Sequence, residues 1–258
     1  MTLIAILMGT LAAGLGSVLL AALFANALLS RYTQHLLSLA AGALLATAFL
    51  HLLPEAFESE ASPHRLFLTL LVGLVFFFLL DKAELWHHGH EHHHGPSAHE
   101  GHAHHHHHAP TGNWTVLLGD SVHAFGDGVL VAAAFMADLS LGVAASVAVL
   151  AHEVPHHMGD LVVLQQGMKP GRSALLKLLM AGGVTVVGGL VGFTLLAQHL
   201  SILPYWLTVA SSSYIYVALA DLIPQLQKRL SAQATLAQIG WLLTGIALVS
   251  MVSELTSH

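Results

Sequence analysis

Five side chains able to bind a metal ion fall within nine residues of an otherwise apolar stretch: His152, Glu153, His156, His157 and Asp160. On a helix, His152, His156 and Asp160 recur every four residues and share one face, with Glu153 and His157 on the line beside it. One hydrophobic segment earlier stand Asp120, His123 and Asp127. His123 and Asp127 are again four apart, and Asp120 extends their face by a turn. Two such helices facing each other can surround a divalent cation with imidazole nitrogens and carboxylate oxygens. That donor mix suits Zn, Fe or Mn rather than Cu(I). Pro155 lacks an N–H and so frees the carbonyl of Ala151, an additional oxygen acceptor. Gly126 and Gly128 thin the first helix and allow a neighbour to approach.

These residues must be positioned by elements that face lipid. The chain has 258 residues, 55% hydrophobic and 9% charged, where soluble domains carry roughly a quarter charged residues. A membrane-spanning helix needs about 20 mostly apolar residues, and eight segments meet that length: roughly 3–28, 35–54, 65–85, 114–136, 141–166, 174–198, 203–225 and 234–254. The expected fold is an all-α integral membrane protein of eight transmembrane helices. Residues 1–85 supply helices 1–3, and residues 114–258 supply helices 4–8 with the metal site on helices 4 and 5. The run from Met1 to Leu29 lacks the basic flank of a signal peptide and is taken as a retained first span.

Lys and Arg alone give orientation. With the N-terminus outside, Arg31, Lys82, Lys169, Arg172, Lys177, Lys228 and Arg229 all fall in inner loops, and only Arg65 falls outside. Both termini are therefore expected to be exterior. Cysteine is absent, which excludes disulfides and thiolate metal sites. The eight Lys and Arg form no cluster, so neither nucleic acid nor an anionic membrane surface is an expected partner. Membrane lipid and divalent metal ions are.

Between helices 3 and 4, residues 86–113 hold 13 of the 22 histidines, all from His87 to His108. Nothing there could build a core, so the loop is expected to be disordered without metal and to act as a weak cytoplasmic metal buffer.

Burying several titratable groups in a span without a counter-cation is prohibitively costly. The set His123, Asp127, His152, Glu153 and His156 therefore points to a metal site, with His157, Asp160, Asp120 and His51 as further candidates. A single intramembrane histidine or carboxylate is often hydrogen-bonded across a helix interface. His51, His199 and Asp221 fit that plainer reading too.

The motif HEVPHHMGD on helix 5, HAFGDG on helix 4, AFLHLLPEA at residues 48–56 and the His-rich loop resemble the ZIP (Zrt-, Irt-like) family of divalent metal transporters. The resemblance covers the whole chain and is strongest to the subfamily with the HExPHExGD signature. It implies a transporter rather than an enzyme, moving metal into the cytoplasm, commonly as a homodimer, in the plasma or inner membrane. It also implies that His123, Asp127, His152, Glu153 and His156 occupy transport-site positions, with His51 near the pathway. Two positions depart from the family pattern. Ala124 stands where the family usually has Asn, and His157 where the signature has Glu. Helix 6 offers no carboxylate. One principal site is therefore expected rather than a binuclear centre, with Zn2+ as the substrate, Cd2+ as a surrogate, and Fe2+ or Mn2+ weaker.

The alternative is an intramembrane zinc metalloprotease, because His152-Glu153-Val154-Pro155-His156 is literally H-E-x-x-H. Such an enzyme would take its third ligand from an Asp of a later span, where Asp221 stands alone, and it would leave His123 and Asp127 without a role.

Overall fold

A computed structural model describes residues 1–24, 33–89, 112–166, 172–226 and 231–256. Most of the His-rich loop, the Lys169–Gly171 connection and the segment holding Lys228 and Arg229 lie outside the described residues. Within them the chain is helical, joined by short connections, with no strand. The long helices are α1 (Thr2–Leu23), α2 (Gln34–Glu58), α3 (Pro63–Gly89), α4 (Gly112–Ala137), α5 (Leu139–Gln166), α6 (Arg172–Ala197), α7 (Leu200–Leu226) and α8 (Ala232–Thr256). Helices α3 and α4 each run a few residues into the stretch expected as loop from 86 to 113.

Seven of these helices are long and apolar enough to cross a membrane. The exception is α4, whose 26 residues reach about 39 Å at about 1.5 Å per residue, beyond a hydrocarbon core of roughly 30 Å. Length does not exclude it. Its apolar character is diluted by Asp120, His123 and Asp127, the residues that give it chemistry.

The helices pack in two groups. Helices α1, α4, α5 and α6 pack on one another, and α2, α3, α7 and α8 form the other set. Helix α5 lies on the seam, also touching α2 and α8. Only 11% of the apolar window is buried in α3 and in α8, against 67% in α2, so α3 and α8 are peripheral and leave most of their apolar surface exposed. Backbone meets backbone where α4 crosses α6. A Cβ on Gly128 would collide with the Thr185 carbonyl, and one on Gly188 with the Phe125 carbonyl. Small residues admit such contacts, and in lipid they replace the missing hydrophobic drive. Gly126, expected to share this role, faces open space.

Helix α5 begins at a cap. Asp138 Oδ1 accepts the Ser140 N–H at 2.8 Å and also the Ser140 hydroxyl, satisfying donors that the helix leaves free. The Ser140 hydroxyl, aided by neighbouring backbone N–H groups, holds the Asp138 carboxyl below the usual range. Further along, α5 runs without a break through Pro155. Wide π turns interrupt α1 at Ala12–Gly16, α2 at Thr47–Leu52 and α7 at Val217–Leu222. The second of these holds His51.

Candidate metal centre

Helices α4 and α5 present their ligand faces to each other, and the side chains meet in three overlapping groups. The first is His123, Asp127, His152 and Glu153, whose ligand atoms all lie within 4.8 Å of one another. His123 Nε2 is 3.8 Å from Asp127 Oδ2, 3.4 Å from Glu153 Oε1 and 3.5 Å from His152 Nε2. His152 Nε2 is 3.3 Å from Asp127 Oδ2 and 3.2 Å from Glu153 Oε1. Four ligands about 2.0–2.1 Å from a tetrahedral zinc sit about 3.3–3.4 Å apart. Five edges of this tetrahedron are therefore close to the required length. Asp127, His152 and Glu153 are buried, while 28% of the His123 side chain is accessible.

Several of the oxygen and nitrogen atoms in these groups approach one another without a hydrogen bond. Asp127 Oδ2 and Glu153 Oε1 are buried and have no hydrogen-bond partner, and the same holds for both Asp120 oxygens, His157 Nε2 and Asp160 Oδ2. Buried polar atoms are ordinarily satisfied. Here the unpartnered atoms fall within the three groups, where a cation could satisfy them. The ring of His152 is set for it: Nδ1 lies 3.2 Å from the Ala148 carbonyl, which only accepts, so Nδ1 carries the proton and Nε2 faces the group as a ligand.

A second group joins Asp120, Glu153 and His157. His157 Nε2 is 3.1 Å from Glu153 Oε2 and 3.6 Å from Asp120 Oδ1. Glu153 thus offers one oxygen to the first group and the other to the second. The third group is Asp120, His156 and Asp160, with His156 Nδ1 3.2 Å from Asp160 Oδ2 and 3.7 Å from Asp120 Oδ1. It is the most open, with 41% of the His156 side chain accessible.

The sequence placed His156 with His152 in one site. In the structure it lies outside the first group, with its ring stacked on His123 at 5.8 Å between centroids and its Nδ1 turned to the third. His157 and Asp120, secondary candidates, are fully or almost fully buried at the junction. His51 joins none of the three; its Nδ1 lies 3.3 Å from Ser253 Oγ on α8. Asp221 lies on α7, its side chain outside the described ones. Ala124 is buried and contributes no donor. Sequence reasoning missed Ser17 on α1, whose hydroxyl oxygen is 3.1 Å from His157 Nδ1. No spacing rule links residues 17 and 157, so only the packing of α1 on α5 reveals the contact.

A helical membrane protein with buried, convergent imidazoles and carboxylates has the make-up of a metal-ion carrier. Residues 1–253 match the family model described as ZIP Zinc transporter, and the chain belongs to that family. It is 36% identical over 143 residues to zinc transporter ZIP10 of Homo sapiens, covering 55% of this chain and 17% of that protein. It is 29% identical over 236 residues to zinc transporter ZIP13 of Pongo abelii, covering 86% and 67%. With zinc transporter ZIP4 of Homo sapiens it shares 30% identity over 251 residues, covering 76% and 39%. The chain therefore spans under a fifth of the length of ZIP10 and about two thirds of that of ZIP13.

Proposed function

We propose that this chain carries Zn2+ across a membrane, into the cytoplasm, through the ligands between α4 and α5. The observation that bears most weight is the near-tetrahedral set of distances among His123, Asp127, His152 and Glu153, whose two carboxylate oxygens, Asp127 Oδ2 and Glu153 Oε1, have no hydrogen-bond partner. Two nitrogens and two oxygens favour zinc, with Cd2+ as surrogate and Fe2+ or Mn2+ weaker. The names of the relatives support the same substrate.

The three groups form a relay. Glu153 bridges the first two, and Asp120 the last two. From Asp127 back to Asp120 on α4 is about 10 Å along the axis at about 1.5 Å per residue. The relay runs toward the end of α4 that follows the His-rich loop and the end of α5 that precedes Lys169. The seven-to-one Lys and Arg asymmetry makes that end cytoplasmic. In this reading α4 is the eighth span, both termini are exterior, and the loop receives and buffers zinc in the cytoplasm. By family resemblance the protein is a homodimer of the plasma or inner membrane.

The zinc-protease reading is disfavoured by geometry. H-E-x-x-H chemistry needs both histidines on one ion, with Glu free as base. Here His156 turns to another group, and Glu153 Oε1 stands 3.2 Å from His152 Nε2 as a ligand would.

The test is zinc uptake by proteoliposomes. Wild-type protein is expected to accumulate Zn2+ in preference to Mn2+, and to slow between about pH 7.5 and about pH 5.5, because protonated imidazole cannot bind metal. Manganese outcompeting zinc would overturn the substrate. Single cysteines placed at Ser97 and Ser257 should label from opposite faces, and labelling from one face would overturn the topology. Deleting residues 88–108 should leave uptake intact; its loss in a correctly inserted protein would put the loop in the pathway.

A further inference from the structure

His157 is the ligand candidate whose surroundings are least explained by α4 and α5. It is fully buried, and its two ring nitrogens meet different environments. Nε2 faces Glu153 and Asp120 at the junction of the relay, 3.1 Å from Glu153 Oε2 but without a hydrogen bond to it. Nδ1 faces away, to Ser17 Oγ on α1, at 3.1 Å. Ser17 is itself fully buried.

A hydroxyl has one proton to give. That of Ser17 goes to the Gly14 carbonyl, 2.7 Å away in the wide turn of α1. The Oγ lone pairs therefore remain to accept from His157, and Nδ1 must carry the hydrogen. In the neutral ring this leaves Nε2 as a bare lone pair directed at Glu153 and Asp120. The Ala148 carbonyl does the same for His152 from within α5. For His157 the acceptor is supplied by another helix. Its position is fixed: Gly14 lies so close to the Gly182 carbonyl of α6 that a Cβ would collide with it.

We propose that Ser17 is a positioning residue for transport, fixing His157 as the Nδ1–H tautomer so that Nε2 can take zinc between Glu153 and Asp120. The proposal rests on the zinc-carrier reading and extends it to α1. It makes the middle of the relay a nitrogen-containing site whose ligand is prepared before the ion arrives. Zinc binding there displaces no proton from a neutral His157.

The experiment is a double-mutant cycle on zinc uptake by full-length protein in proteoliposomes. Ser17→Ala should raise the KM for zinc about 10- to 100-fold, the usual cost of removing a partner behind a ligating histidine. Ser17→Thr, which keeps an acceptor oxygen, should restore most of it. In a His157→Ala background, Ser17→Ala should add no further loss, because Ser17 acts only through the ring. Multiplicative losses would overturn the proposal and leave Ser17 a packing residue, as would wild-type KM in Ser17→Ala. A second measurement needs no transport-competent variant. In wild-type protein with 15N-labelled histidine, the resonances lost in His157→Ala should show a protonated Nδ1 and, with zinc, a metal-bound Nε2. A protonated Nε2 in the zinc-loaded protein overturns the tautomer. If wild-type protein moves no zinc, the carrier reading itself fails, a result distinct from either of these.

Discussion

Helices α5 and α7 both bury polar side chains in mid-span, and they satisfy them in opposite ways. On α7 the hydroxyls of Thr208, Ser211 and Ser212 each donate to the carbonyl one turn back, at 2.8, 2.9 and 2.9 Å. For Thr208 and Ser211 that polarity is closed within the helix, Ser212 also reaches the Leu70 carbonyl of α3, and the neutral Tyr214 hydroxyl is buried without a hydrogen-bond partner. On α5, Glu153 Oε1 and His157 Nε2 are equally buried and have no hydrogen-bond partner. The first pattern costs little in lipid, whereas the second is costly until a cation completes it. Burial of polar residues thus does not by itself mark a site. What separates α5 from α7 is that its unpartnered atoms are carboxylate oxygens and imidazole nitrogens gathered within reach of one another.

The strongest way to break this contrast is to make α5 resemble α7 in charge. Glu153 supplies an oxygen to each of two groups, so Glu153→Gln should reduce zinc uptake by at least about 100-fold, the loss of a directly coordinating anion exceeding the 10- to 100-fold typical of a supporting partner. The same change neutralises a buried carboxylate of a functional site, where stability is commonly given up for activity, so the metal-free protein should melt at a higher temperature. Uptake and thermal melting of one purified variant test both signs. A fall in both would mean that Glu153 is structural.

A sharper comparison lies within α5. His152→Ala removes an edge-sharing member of the near-tetrahedral group, whereas His156→Ala removes a half-exposed residue of the third group. Uptake at low zinc should therefore fall at least about tenfold further in the first than in the second, on the scale of ligand losses in metal sites. Equal losses would return His156 to the first group, where its spacing from His152 placed it.

That difference shows what the sequence makes legible. Helical spacing identified the faces of α4 and α5, because positions four apart must stack. It could not say which ligands share an ion, since a pair four apart can close on one ion or part to two: His123 and Asp127 share a group, whereas His152 and His156 do not. Side-chain rotation decides that, and it turned His156 to Asp160. The bifurcation of Glu153 and the junction at Asp120 were hidden for the same reason. The apolar spans were legible from length and hydropathy, but α4 blurs that signal by carrying the chemistry. Ser17 had no signal at all, because its role depends on α1 lying against α5.

The shared precision of the first helix group comes next in size. Gly128 and Gly188 bring α4 against α6 backbone to backbone, so Gly128→Ala forces the helix bearing Asp127 to shift. Overpacking of this kind costs about 1–3 kcal/mol. Displacing Asp127 should weaken zinc uptake, whereas Gly126→Ala, facing open space, should leave both melting and uptake near wild type. Equal effects would mean that the α4–α6 contact does not position the ligands.

The smallest effect is expected on α7. Besides the bond to Thr208, the Ser212 hydroxyl lies 3.1 Å from the Leu70 carbonyl of α3, so it can fasten those two helices. Both carbonyls belong to helices and keep other partners, so Ser212→Ala strands no acceptor, and the loss should be about 1 kcal/mol or less. The KM for zinc should be unchanged, because none of the three ligand groups includes a residue of α7. Melting and zinc uptake of this variant, set beside Glu153→Gln, compare the two helices directly. A change in KM from Ser212→Ala would show that a hydroxyl bonded only to helix carbonyls away from the ligand groups still shapes the metal path, and the contrast between α5 and α7 would fail.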